Sequence, residues 1–155
     1  FSQHILQADR GCDFIGLKSE GPLGNTTFNV DGAALASVSL AVDGTPTGNA
    51  VTVVNSGVTN NNTVKNLSID ASGNSTVSFN GTALEAVTIT GKGATTFTST
   101  TAASKSIDAS GSEGGAIIGT AMANGALFTS TGHQRRSQAN TNINRRAGTM
   151  LSDCC

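Results

Sequence analysis

The chain has no tryptophan and no tyrosine, and six phenylalanines supply all of its aromatic surface. Sites that stack sugar rings draw heavily on those two missing residues. Charge is scarce too: 12% of residues are charged, about half the usual share. The formal net charge is −1, which argues against nucleic acid as the main partner. Cysteine is confined to Cys12, Cys154 and Cys155. Their spacing is no zinc pattern, and an adjacent pair closes on itself only under strain, so no disulfide framework is expected. No apolar run is long enough for a membrane-spanning helix. No basic-then-apolar signal opens the chain, which begins at Phe1 and reads as a fragment. His4 and His133 lie near opposite ends. The serines between them therefore have no histidine base, no Gly-x-Ser-x-Gly elbow occurs, and no catalytic residues are expected.

What the chain does have is serine, threonine, asparagine and glycine around a 37% apolar fraction. Apolar and polar residues alternate in Val38–Val42, Val51–Val53, Thr76–Phe79, Ala86–Thr90 and Thr95–Thr98. Period two, rich in Val, Ile, Thr and Phe, marks half-buried strands. Turn signals separate the runs: Asp43-Gly44, Asn55-Ser56-Gly57, Ser72-Gly73-Asn74, Asn80-Gly81 and Gly91-Lys92-Gly93. Disordered chains seldom alternate in this way. The only mild helical stretches are Ala102-Ala103-Ser104 and Thr120-Ala121-Met122-Ala123.

The hexapeptide Ser68-Ile69-Asp70-Ala71-Ser72-Gly73 returns letter for letter as Ser106-Ile107-Asp108-Ala109-Ser110-Gly111, with a degenerate copy at Val87–Gly93 between them. Aligning Ile69, Ile89 and Ile107 gives steps of 20 and 18 residues. Such a step is one coil of a solenoid, in which each coil buries its apolar face on the next. The expected fold is all-β: a parallel β-solenoid of about 18–20 residues per coil, with two strands in each. Ile69, Val77, Phe79, Val87, Ile89, Phe97 and Ile107 should form its buried ladders. An antiparallel β-sandwich is the alternative, because strand runs about ten residues apart also suit it. Residues 25–132 form this repeat domain. Residues 1–24 read as an irregular lead-in, and 133–155, which hold four of the five arginines, as a disordered or poorly packed tail.

Asp70 and Asp108 occupy equivalent repeat positions before small-residue turns. They are the candidate calcium ligands, with Asp31 and Asp43 as earlier counterparts. The plainer reading is an Asx-turn, since two lone carboxylates do not fill six or more oxygen positions. Thr96, Thr98 and Thr100 form one hydroxyl row and Thr88 and Thr90 another. Flat threonine arrays can bind ice, but the copies at 69 and 107 lack the row, and ordinary solvent-facing threonine is expected. Asn25, Asn61, Asn66, Asn74 and Asn80 begin Asn-x-Ser/Thr sequons, at a frequency that this composition produces by chance. Asp70 with Glu85 is a formal carboxylate pair that nothing selects. The arginine pairs could grip phosphate or an anionic sugar, but a solvated tail explains them better.

Leu67–Gly73, its second copy and Ala123–Thr129 together resemble the β-strand repeats of bacterial S-layer and RTX-type surface proteins, over about residues 28–132. The resemblance implies an exported, extracellular or cell-surface protein that binds calcium. It also implies a structural role as S-layer, adhesin or filament-like scaffold, which is no enzyme's role. Its partners would be further copies or neighbouring repeats, and surface polysaccharide. A carbohydrate-binding or carbohydrate-active β-helix domain is the alternative, weakened by the missing Trp and Tyr. One departure matters. The calcium nonapeptide Gly-Gly-x-Gly-x-Asp-x-apolar-x is absent, and Gly111–Gly119 has its glycines without its aspartate.

Overall fold

The computed structural model describes residues 2–7, 13–55, 62–100, 104–120, 123 and 125–130, with the backbone alone for 2–7. Among them the chain forms twelve strands and no helix. These are β1 (Ser2–Gln7), β2 (Phe14–Lys18), β3 (Thr26–Asp31), β4 (Ser37–Val42), β5 (Val51–Val54) and β6 (Asn66–Ala71). They continue with β7 (Ser75–Asn80), β8 (Ala86–Gly91), β9 (Thr95–Ser99), β10 (Ser106–Ser112), β11 (Ala116–Ile118) and β12 (Leu127–Thr129). The odd-numbered strands make one six-stranded sheet and the even-numbered strands another, each in chain order. Every strand pair is parallel. Each coil thus gives one strand to each sheet, and the chain is a β-solenoid. A parallel pair cannot be closed by a hairpin, so the antiparallel sandwich does not hold.

Alternation along each strand becomes inside and outside. In β6 the inward Leu67, Ile69 and Ala71 are buried, while Asn66, Ser68 and Asp70 face out. Stacked coils turn these positions into ladders. Val38, Leu67, Val87 and Ile107 form one in the even sheet, and Val51, Val77, Phe97 and Ile118 form one in the odd sheet. All seven residues expected to be buried have 0–1% of their surface exposed. At about 1.5–3 kcal/mol for each large side chain removed from water, the ladders are the main favourable term of the fold.

Coil length varies more than the repeat suggested. Ser75 pairs with Thr95 twenty residues on, and Ala86 with Ser106 twenty on. Ser37 pairs with Asn66, twenty-nine residues on, because a longer connection follows β5. The three isoleucines do not share one ladder. Ile69 pairs with Ile89, but Ile107 pairs with Val87. The two hexapeptides are 38 residues apart while two coils span 40, from Asn66 through Ala86 to Ser106. One copy has therefore slid by two positions along the strand. An even slide keeps every side chain on its own face, so burial survives it. An irregularity between Asp108 and Gly111 then brings Gly111 opposite Thr90.

The boundary at residue 25 is also too late. Ser2–Gln7 pairs with β3 and Phe14–Lys18 with β4, so these residues extend both sheets and are not an irregular lead-in. The expected tail at 133–155 lies outside the described residues, as do the helical stretches except Ser104, Thr120 and Ala123.

A column of glycines marks the corner where the even sheet hands the chain to the odd one. Gly44, Gly73, Gly93 and Gly114 stack in successive coils, backbone against backbone. A Cβ on Gly73 would lie 3.0 Å from the Asp43 carbonyl oxygen, and one on Gly93 would strike the Gly73 carbonyl. Only glycine lets the backbones approach this closely at the corner.

Candidate functional site

The outward face of the even sheet carries Lys18, Asp70 and Asp108, while the described positions of the odd sheet that are not buried are uncharged. At one edge of the even sheet an open cleft of about 380 Å³ is lined by Lys18, Glu20, Asp43, Asp70, Ser19 and Ser72, over the backbone of Ala41 and Val42. Register builds it: Lys18 pairs with Ala41 and Ala41 with Asp70, which gathers residues from three coils. Ser72 donates its hydroxyl proton to the Asp43 carboxylate, and the Asp43 backbone N–H donates to Ser19 Oγ at 2.8 Å. These bonds tie three consecutive coils together at their exposed corners.

The two candidate calcium ligands are not equivalent in space. Asp70 pairs with Thr90, whereas Asp108 pairs with Thr88. The Ser110 N–H donates to Asp108 Oδ1 at 2.9 Å, the Asx-turn geometry. Hydrogen bonds from the Ser110 side chain and backbone hold the Asp108 carboxyl below its ordinary range, against a smaller desolvation effect. Of the earlier counterparts, Asp43 lies in the cleft beside Asp70, and Asp31 is 95% buried at the end of β3, with 5% exposed. Among the described residues no three His, Cys, Asp or Glu side chains converge to hold a metal ion. Calcium takes six to eight oxygens, so the side chains at Asp70 and Asp108 do not by themselves make the site that the resemblance implies.

Glu85 sits at the turn before β8 and is gripped from both neighbouring coils. Lys105 Nζ donates to Glu85 Oε2 at 3.0 Å, and Lys65 Nζ lies 4.0 Å from Oε1. The hydrogen bond and charge of Lys105 pull the Glu85 pKa down, with a smaller contribution from Lys65. Asp70 stands opposite Thr90, five residues along from Glu85. At roughly 3.3 Å per residue this is about 16 Å, beyond the ~5–9.5 Å of a glycosidase pair. The structure does not bring those two carboxylates together.

The sequon asparagines serve as coil-to-coil connectors. Asn25 Oδ1 accepts from Ala50 N–H at 2.9 Å, and Asn74 Oδ1 from Ala94 N–H at 3.0 Å. Asn80 Oδ1 accepts from the Thr100 hydroxyl at 3.1 Å, and Asn66 Nδ2 donates to Ser37 Oγ at 3.3 Å. Asn61 lies outside the described residues. A hydroxyl row runs from coil to coil on each sheet, and on the even one Ser39, Ser68 and Thr88 are successive partners. On the odd one Thr27, Thr52, Ser78 and Thr98 are successive strand partners, with Ser78 Oγ and Thr98 Oγ1 at 2.8 Å.

Sequence reasoning treated Asn55 only as a turn former. It is 1% exposed, and its side chain bonds on both sides. Nδ2 donates to the Val30 carbonyl at 3.1 Å, and Oδ1 accepts from Thr63 N–H and Val64 N–H at 3.0 Å each. No sequence signal separates this core asparagine from those in ordinary turns. Its role follows from the longer coil it closes. No family model, curated protein or solved structure matches the chain.

Proposed function

We propose that this chain is a structural or adhesive segment of a bacterial secreted or cell-surface repeat protein of the S-layer or RTX-like kind. The observation that supports the reading is the unbroken pair of parallel ladders, built by adding near-equivalent coils, with corner residues spent on joining coils. Glu85 between two lysines, the glycine column and the connecting asparagines all strengthen the stack along its axis. The low charge and the surface of Ser, Thr and Asn suit an extracellular setting.

The location is tested with antibodies against residues 25–132 on intact and permeabilised cells of the producing organism. Staining of intact cells, removed by external protease, supports the proposal. Signal that needs permeabilisation sinks it.

Calcium enters this reading as a stabiliser at the turns after Asp70 and Asp108, where turn carbonyls would have to complete the oxygen shell. An ion bound to the folded state alone raises its stability by mass action. A higher melting midpoint in millimolar calcium than in chelator supports that part. Identical midpoints remove it for this segment.

A further inference from the structure

Among the described residues three large apolar side chains are exposed: Phe14 at 56%, Ile117 at 45% and Leu127 at 66%. All three lie on the outermost described coils, in β2, β11 and β12, and none on the coils between. Phe14 and Leu127 are moreover the two ends of one outward row, which runs Phe14, Ser37, Asn66, Ala86, Ser106, Leu127. Its middle is polar or small and its ends are large and apolar. The neighbouring inward row runs Ile15, Val38, Leu67, Val87, Ile107, Phe128. Its four inner members are 0–1% exposed, while Ile15 and Phe128 are only partly buried. Both rows are thus apolar at both ends, position for position.

We propose that copies of this chain stack head to tail, with β12 of one copy pairing in parallel with β2 of the next. Leu127 then lies beside Phe14 and Phe128 beside Ile15, one strand spacing apart, about 4.8 Å. An edge strand presents unpaired N–H and C=O groups that such a neighbour satisfies. The occupant is a second copy because this chain's own opposite end continues the ladder in direction and position, with an apolar residue at each matched site. β2 and β12 are different surfaces, so the contact is heterologous and the assembly open. The inference deepens the scaffold reading by naming its partner, and it rests on that reading only for its use to the cell. Stacking is read on purified protein and surface location on cells, so the two fail separately.

Sedimentation velocity on the purified full chain tests it, from micromolar to millimolar concentration and with reductant present so that cysteines do not link molecules. The wild type should form a concentration-dependent series of oligomers. Phe14→Asp and Leu127→Asp, each at an exposed position, should be monomeric alone, with circular dichroism and melting midpoints close to wild type. Mixed in equal amounts they should give a dimer and nothing larger, because each blocks the opposite end. A wild type that stays monomeric throughout, as when other chain or another macromolecule covers these ends, overturns the proposal. So do folded variants that assemble like wild type, or a mixture that stays monomeric.

Discussion

Ile69 and Ile89 are direct partners across adjacent parallel strands, and neither has any exposed surface. Each fills the layer between two coils, so the ladder is as strong as its tightest rung. Ile89→Ala should cost about 2–5 kcal/mol, the transfer term plus the cavity left behind. Ile89→Asp places an unpaired charge between apolar neighbours and should unfold the central coils. Urea denaturation followed by circular dichroism measures both. An Ile89→Asp protein as stable as the wild type would contradict the ladder.

Backbone contact at the corners makes a second test. Gly93→Ala drives a methyl group into the Gly73 carbonyl of the coil below and should cost at least ~1–3 kcal/mol, as overpacking does. Gly24 is the control, because nothing lies within 4 Å of a Cβ there and its φ is not positive. Gly24→Ala should be neutral, or stabilising by about 0.4–1 kcal/mol through the unfolded chain. Melting midpoints of the two variants should separate clearly.

The strands were legible wherever Val, Ile or Phe alternated with Thr or Ser, as in Thr76–Phe79, because that period survives any packing. The letter repeat pointed to the right fold and the wrong partner. Sliding by two residues leaves Ile107 pointing inward, so the pattern cannot tell Val87 from Ile89 as its neighbour. Phe14–Leu17 allowed either a short strand or a helical turn, because Gly16 occupies an outward position and Phe14 is exposed, which blurs the alternation. The cleft at Asp70 could not be read because the connections between coils differ in length, and only their lengths bring Lys18 and Asp43 beside it. The turn at Asp108 was legible, since aspartate before small residues caps its own turn.

Thr95 and its hydroxyl offer a gain in stability. The residue is 1% exposed and its Oγ1 has no hydrogen-bond partner among the described residues. Valine keeps the branched shape that suits a strand and removes the buried polar atom. Thr95→Val should therefore stabilise by about 1 kcal/mol. Thr95→Ser, which keeps the hydroxyl and loses the methyl, should destabilise. Denaturation midpoints with an unchanged m-value check both.

Glu85 gives the fold an acid limb. Lys105 lowers its pKa below the ordinary 4.5, so the folded state binds this proton less readily than the unfolded chain. The stabilisation is complete above the unfolded value and is lost as pH falls through the folded one. Glu85→Gln should flatten that part of the stability-against-pH curve and lower stability slightly at neutral pH. The group is exposed, so added salt should shrink the difference. A Gln variant that reproduces the wild-type acid limb would assign it to other carboxylates.

Asn55 holds the longest connection to the stack, and its loss should be felt locally before it is felt globally. Asn55→Ala strands the Val30 carbonyl and the Thr63 and Val64 amides, each of which the side chain now satisfies. A buried group left without its partner costs roughly 1–3 kcal/mol, and water entering the vacated space offsets part of that. The expected net loss is about 2–4 kcal/mol. Asn55→Asp keeps the two acceptor contacts but buries a charge and removes the donor to Val30, so it should fall short of full stability as well. Amide hydrogen exchange separates a local effect from a general one. The Thr63 and Val64 amides should exchange much faster in Asn55→Ala, while Gly93 N–H, bonded to the Ala71 carbonyl at 2.8 Å in the next pair of coils, should keep its protection. Uniform loss of protection at all three amides would show that Asn55 supports the whole stack and not its own coil.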